Sequence, residues 1–206
     1  MDTKKATVLT LLSVLTAAAA FGTEVTVTTR PGASGWNDLE AEPTTKVFTG
    51  KAADFKGGIV ANEFMQQTFT VGEDFAAGAF HIRFKNPGVA DGKVRIAVYE
   101  VAAPNQEDPL TLGNELFAAG DLLIPVADNT GTAVFTLGTP LALKAGSYVL
   151  QISTAGATEL EWRRTGKDHE TPYPDGRAYA AGITSGGGTT FKKGGMEFAL
   201  AVTAMP

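Results

Sequence analysis

Through most of this chain apolar residues recur at every second position, the period of a β-strand with one face on a core and the other toward water. Residues 132–164 show it most clearly. Ala133, Phe135 and Leu137 share one face, with Val134 and Thr136 on the other; Tyr148, Leu150 and Ile152 alternate with Val149, Gln151 and Ser153; Leu160 and Trp162 alternate with Glu159, Glu161, Arg163 and Arg164. This pattern predicts consecutive antiparallel strands, with Gly146 supplying the positive φ of a tight turn in the link 143–148.

The same period marks further strands at residues 24–29, 45–49, 63–71, 79–85, 93–101, 177–181 and 196–203. In 79–85 Phe80, Ile82 and Phe84 point one way and His81, Arg83 and Lys85 the other; Val94, Ile96 and Val98, and later Phe198, Leu200 and Val202, repeat the arrangement. Residues 115–119 read equally as a helical turn or a strand. Pro125 in the run 122–126 marks an edge or a bulge, because proline donates nothing to a ladder. Residues 30–38, which include Trp36, read as a turn-rich loop, 50–60 as irregular, and 165–176 as the longest polar and aromatic loop. Roughly nine or ten short strands at 8–12-residue spacing, with almost no helical period, predict an all-β fold: an antiparallel two-sheet β-sandwich, jelly-roll or Ig-like.

The N-terminus changes the picture of where this domain works. Lys4 and Lys5 precede an uncharged apolar stretch from Ala6 to Ala20, and Ala18 and Ala20 stand at −3 and −1. These are the three regions of a secretory signal peptide, cleaved after residue 20 or, alternatively, 22. The stretch is about 15 residues, short of the roughly 20 that span a bilayer. Removing 20 residues from 206 leaves 186 as a single domain, and loss of Asp2, Lys4 and Lys5 takes the formal charge from −5 to −6. The expectation is a secreted protein, extracellular or periplasmic, with no further transmembrane segment. A mildly acidic chain with dispersed Lys and Arg does not suit nucleic acid, whose phosphates need clustered positive charge. The chain has no cysteine, which excludes disulfides, thiol catalysis and thiolate metal sites.

Taken in order, residues 67–71 (QTFTV), 80–84 (FHIRF), 94–99 (VRIAVY), 143–148 (LKAGSY), 162–163 (WR), 176–179 (GRAY) and 198–200 (FAL) form a series of strand-and-turn words. The series resembles the choice-of-anchor-type extracellular β-sandwich domains of exported planctomycete and verrucomicrobial proteins, over roughly residues 63–202. The resemblance implies a domain of sorted or carbohydrate-active surface proteins and brings no ligand residues with it. The end, AVTAMP, departs from the sorted pattern in having no Pro-Glu-Pro motif, apolar helix or basic tail.

No enzyme is expected, since no serine sits in a nucleophile-elbow sequence and no triad assembles. His81 reads as a solvent-facing or cross-strand residue. Asp168, His169 and Glu170 are the metal candidates, although adjacent loop residues rarely all reach one ion. No cofactor is called for, a structural calcium held by Asp121, Asp128 and Glu197 being the alternative. Glu159 and Glu161 lie about 7 Å apart along one strand, a spacing within the range of inverting glycosidases, but read as solvated surface. The sharper expectation is a carbohydrate-binding or adhesive module. Trp162, Arg164, Tyr173, Asp175, Arg177 and Tyr179 concentrate aromatic rings and planar polar groups in one late segment, as sugar recognition needs. Against it, Trp162 reads first as a core residue, since its strand face also carries Leu160, and Tyr179 as one likewise. The alternative is a matrix, surface-layer or fibre subunit assembling through edge strands, with residues 24–29 as a donor strand.

Overall fold

The alternating runs become eleven strands among the described residues. They are β1 (Val25–Pro31), β2 (Thr45–Phe48), β3 (Gly57–Val71), β4 (Phe75–Asn86), β5 (Gly92–Glu100), β6 (Glu115–Ile124), β7 (Ala127–Leu143), β8 (Gly146–Thr154), β9 (Glu161–Arg164), β10 (Ala178–Ile183) and β11 (Leu200–Ala204). The computed structural model describes residues 24–33, 35–55, 57–88, 90–106, 110–154, 160–165, 173, 176–183 and 197–205. The apolar leader and its cleavage positions, and Asp168, His169, Glu170 and Asp175, lie outside the described residues. Short 3₁₀ turns at Asn37–Ala41 and Ala52–Asp54 are the helical content of that set.

Every strand pair is antiparallel, and the strands form two sheets. In the first, β1 pairs with β7 and β7 with β4. The far edge of β4 is shared by β11 and β9, with β2 beyond β11 and the start of β3 beyond β9. The second runs β10–β3–β8–β5–β6. Thus β3 serves both sheets, pairing with β9 at residues 57–60 and with β8 at residues 64–71. Inner faces of the two sheets build one apolar cluster: Phe80, Ile82, Phe135 and Leu200 from the first meet Met65, Phe69, Ile96 and Leu150 from the second. That arrangement is consistent with a sandwich.

The alternation identified the core faces correctly but not all the neighbours. β7, β8 and β9 do not pair with one another, because the chain leaves the first sheet after β7 and enters the second at β8. A period of two records which side chains face a core and says nothing about which strand lies alongside. Gly146 does not take a positive φ. The β7–β8 link is closed by side chains instead: Asp74 accepts the Ala145 N–H at 2.9 Å and ion-pairs with Lys144 at 2.7 Å, while the Tyr148 hydroxyl donates to the Lys144 carbonyl at 2.8 Å. Residues 115–119 are strand, continuous with β6, and Pro125 follows the end of that edge strand. β1 pairs over its full length with β7 in its own sheet, the arrangement opposite to a donor strand.

A second, smaller core was not visible in the pattern. The segments 35–41 and 50–55, on either side of β2, fold over the outer face of the first sheet, where Trp36, Leu39 and Phe55 pack on Ala199 and Ala201. Trp36 is fully buried, meets Phe55 edge-on at 6.0 Å, and donates its indole N–H to the Gly50 carbonyl at 2.9 Å. Gly50 has φ of 147°, a conformation open chiefly to glycine, and this brings its carbonyl under the indole.

Burial separates two probes of this fold. Phe135→Ala removes a ring from the middle of the main core and is expected to cost about 3–5 kcal/mol in urea unfolding. Leu123→Ala, at a residue 54% exposed on β6, should stay within about 0.5 kcal/mol. Equal effects would contradict the shared core.

Candidate functional site

The late-segment residues separate into core and surface. Trp162 is fully buried; its ring stacks on Phe198 at 4.6 Å and 14°, and its N–H donates to the Ala199 carbonyl at 2.9 Å. With both ring faces enclosed it is no platform for a ligand, and it packs in the main core with Leu160. Tyr179 is also buried, its hydroxyl donating to the Gln106 carbonyl at 2.7 Å. Arg164 is half-buried and donates to the Thr165 carbonyl at 3.0 Å. Tyr173 is half-buried against the main core, its hydroxyl oxygen 3.4 Å from the Thr70 N–H.

Three of these residues converge on one place. Thr68, buried on the outer side of β3, donates its hydroxyl to the Pro104 carbonyl at 2.6 Å and accepts the Arg177 N–H at 2.7 Å; its own N–H reaches the Arg177 carbonyl at 3.0 Å. The Arg177 guanidinium lies 3.5 Å from the same Gln106 carbonyl that receives Tyr179. The segments 104–106 and 176–179 are thereby clasped to each other across β3, with Tyr173 beside them. Gly176 makes the clasp possible: a Cβ there would stand 2.2 Å from the Thr68 carbonyl oxygen and 2.7 Å from the Tyr173 ring.

Beside the clasp lies an open cleft of about 430 Å³, lined among others by Glu100, Lys144, Ser147 and Tyr148. Ser147 is the cross-strand partner of Thr70, the residue that Tyr173 touches, so clasp and cleft adjoin. Glu100 accepts from the Asn114 amide at 2.8 Å. The hydrogen bond and charge of Lys144 hold the Asp74 carboxyl below its ordinary range, and that carboxylate raises the Lys144 ammonium. Nothing in the residue pattern pointed to this cleft, because it is lined by strand ends and turn backbone.

The other candidates have structural partners. Glu161 pairs with Arg163, and Glu159 lies outside the described residues. Asp121 pairs with Lys93 at 2.7 Å, and the buried Glu197 carboxylate accepts the Thr165 hydroxyl at 3.1 Å. The Asp128 side chain is not among those described. Among the described residues no three His, Asp or Glu side chains group as metal ligands. His81 faces Thr203 across the strands at 3.1 Å; burial, and then the charge of Arg30, push its pKa down to about 4. No known family model matches the chain, and no curated protein matches it in sequence.

Two outcomes follow from this geometry. Gly176→Ala forces the clasp apart and should cost about 1–3 kcal/mol in urea unfolding, whereas Gly72→Ala, where an added Cβ meets nothing within 4 Å, should cost far less. His81 stays neutral in the folded protein to about pH 4, whereas the unfolded chain protonates it near 6.5, so the unfolded state binds more protons between those values. Stability is therefore full above about pH 6.5 and falls by roughly 2–3 kcal/mol as pH drops toward 4. Urea midpoints for His81→Gln should lose most of that slope; an unchanged slope would assign it to other groups.

Proposed function

We propose that this protein is an exported, non-catalytic binding module whose ligand is a carbohydrate or another cell-surface polymer. The observation that carries the reading is the open polar cleft beside the clasp. It offers a carboxylate, a hydroxyl and an ammonium at Glu100, Ser147 and Lys144, and across β3 from it the clasp carries half-exposed Tyr173 and Arg177, Tyr173 reaching Thr70, the partner of Ser147. Polyhydroxylated ligands need such convergent planar and polar groups on a rigid frame. The domain is a β-sandwich of jelly-roll or Ig-like type in this reading, a choice-of-anchor-like unit, secreted behind its N-terminal leader. Of the six ligand residues expected from the sequence, Tyr173 and Arg177 stay in the proposal, and Trp162 and Tyr179 leave it as core.

A second reading, assembly into a matrix or fibre through edge strands, draws on β6. It is the terminal strand of the second sheet, and Leu123 and, just beyond the strand, Val126 are 54% and 43% exposed.

A glycan array and polysaccharide pull-down on the protein should give binding that Arg177→Ala weakens at least tenfold. Leu123→Lys should leave that binding intact. Absence of binding across the panel, with mass rising with concentration in light scattering and reversed by Leu123→Lys, would replace this reading with the second.

A further inference from the structure

The outer face of the first sheet carries a row of side chains that the strand alternation assigns to water and the fold does not leave there. Cross-strand register places Arg30 opposite Thr132 and Thr132 opposite Arg83. Beyond Arg83 the chain at Ala199 intervenes: its carbonyl accepts the Arg83 N–H at 3.4 Å and its own N–H donates to the Arg163 carbonyl at 2.9 Å, so Arg163 follows Arg83 across one small residue. Three arginines and a threonine thus follow one another across one face, with only Ala199 between Arg83 and Arg163, and with Lys85 on the same face of β4. The acidic residue in this group, Glu161, is engaged by Arg163.

Arg83 is the residue that does not fit. It is 5% exposed, and neither its Nε nor its Nη1 has a hydrogen-bond acceptor among the described residues. Thr132, 4% exposed, has a hydroxyl with no partner among the described residues, and the Nε of Arg163 has none among them either. Trp36 roofs the group, its ring centroid 5.9 Å from the Arg83 guanidinium carbon. A cation–π contact of this kind offsets part of a buried charge. It satisfies no N–H in the guanidinium plane. A guanidinium does not escape burial by losing its proton, so an unneutralised one costs several kcal/mol. Burial and the Arg163 charge both act against the protonated form of Arg83, so its neighbourhood is cationic and short of negative charge. Water bridging the donors would satisfy hydrogen bonds but not charge.

We propose that this row is an anion site, holding a small oxyanion (a carboxylate, sulfate or phosphate group) between the Arg83 and Arg163 guanidinium groups and the Thr132 hydroxyl, beneath Trp36. An oxyanion supplies several acceptor oxygens and negative charge together, and charge-assisted bonds to guanidinium are the strong ones. The site lies on a different sheet from the cleft proposed above, and neither depends on the other.

Thermal unfolding in sodium sulfate, sodium phosphate and sodium glucuronate, each against sodium chloride at equal ionic strength, tests it. The expected result for one of these anions is a saturable rise of about 5–10 °C in Tm at a hundredfold excess over Kd, and the responding arm identifies the oxyanion class. Arg83→Met should abolish the saturable part. In chloride alone its Tm should equal or exceed that of the unsubstituted protein, because an unpaired charge has been removed, and the order should reverse in saturating anion. Thr132→Val, which keeps shape and charge, should weaken the anion response about tenfold. Identical responses of the protein and both variants to every anion would overturn the site, as would an Arg83→Met Tm below the protein's in all buffers. If Arg83→Met does not fold, an unaltered response in Thr132→Val overturns it.

Discussion

Besides their shared apolar core, the two sheets are tied to one another by a strand that belongs to both and by the inward-facing amide of Gln67 on it. Gln67 on β3 is fully buried; its Oε1 accepts the Phe198 N–H at 2.6 Å and its Nε2 donates to the Thr68 carbonyl at 2.9 Å. A buried amide with both ends engaged tolerates little displacement, since either lost bond leaves a polar group desolvated and unpaired. Phe198 in turn stacks on Trp162, whose N–H is tied to Ala199. From one glutamine on the second sheet, contact therefore runs through the C-terminal segment to β9 and β11 in the first. Geometry downstream depends on this. The approach to β11 is fixed by the Phe198 bond, and Ala199 and Ala201 then form the floor on which Trp36, Leu39 and Phe55 build the second core.

The same constraint explains why the clasp is rigid enough to border a cleft. Thr68 follows Gln67 and projects to the opposite side of β3, where it meets Pro104 and Arg177. Inner and outer side chains of consecutive residues thus fix the main core and the clasp together. Hydrogen bonds from 176–179 to 104–106 and to Thr68 fix these described positions to one another.

What could be read from the residues follows from what a period of two encodes. It encodes inward and outward, so Phe80, Ile82, Phe84, Val94, Ile96, Val98, Leu200 and Val202 were placed correctly without knowledge of any partner strand. Register and neighbour order are non-local, and so the separation of β7 from β8 into different sheets was invisible. The burial of Trp36 was invisible for a related reason. It stands in a turn-rich stretch of Gly, Pro and Asp that has no strand period, and it is buried by packing against Leu39, Phe55, Ala199 and Ala201. Trp162 and Tyr179 show the limit of composition as a guide to binding: aromatic residues crowded into one segment served the core at some positions and the clasp at others. The cleft had no residue signature because strand ends and turn backbone converge there from distant parts of the chain.

Arg83 marks the point where the alternation rule fails outright. On β4 the outward positions are His81, Arg83 and Lys85, and in a sheet with one wet face all three would be solvated. Here the outer face is roofed, and the roof treats them differently. His81 meets the roofed environment by remaining neutral, with Thr203 as its partner. Lys85 is only half-buried. Arg83 has neither option, because it holds its charge and is enclosed. In a protein of net charge −5, carboxylates are plentiful, yet among the described residues none is placed against its Nε or Nη1. Local rules broken without a compensation among the described residues are characteristic of sites that meet something from outside the chain. The outer face of the first sheet, chemically the least expected surface of this fold, is where that reasoning leads.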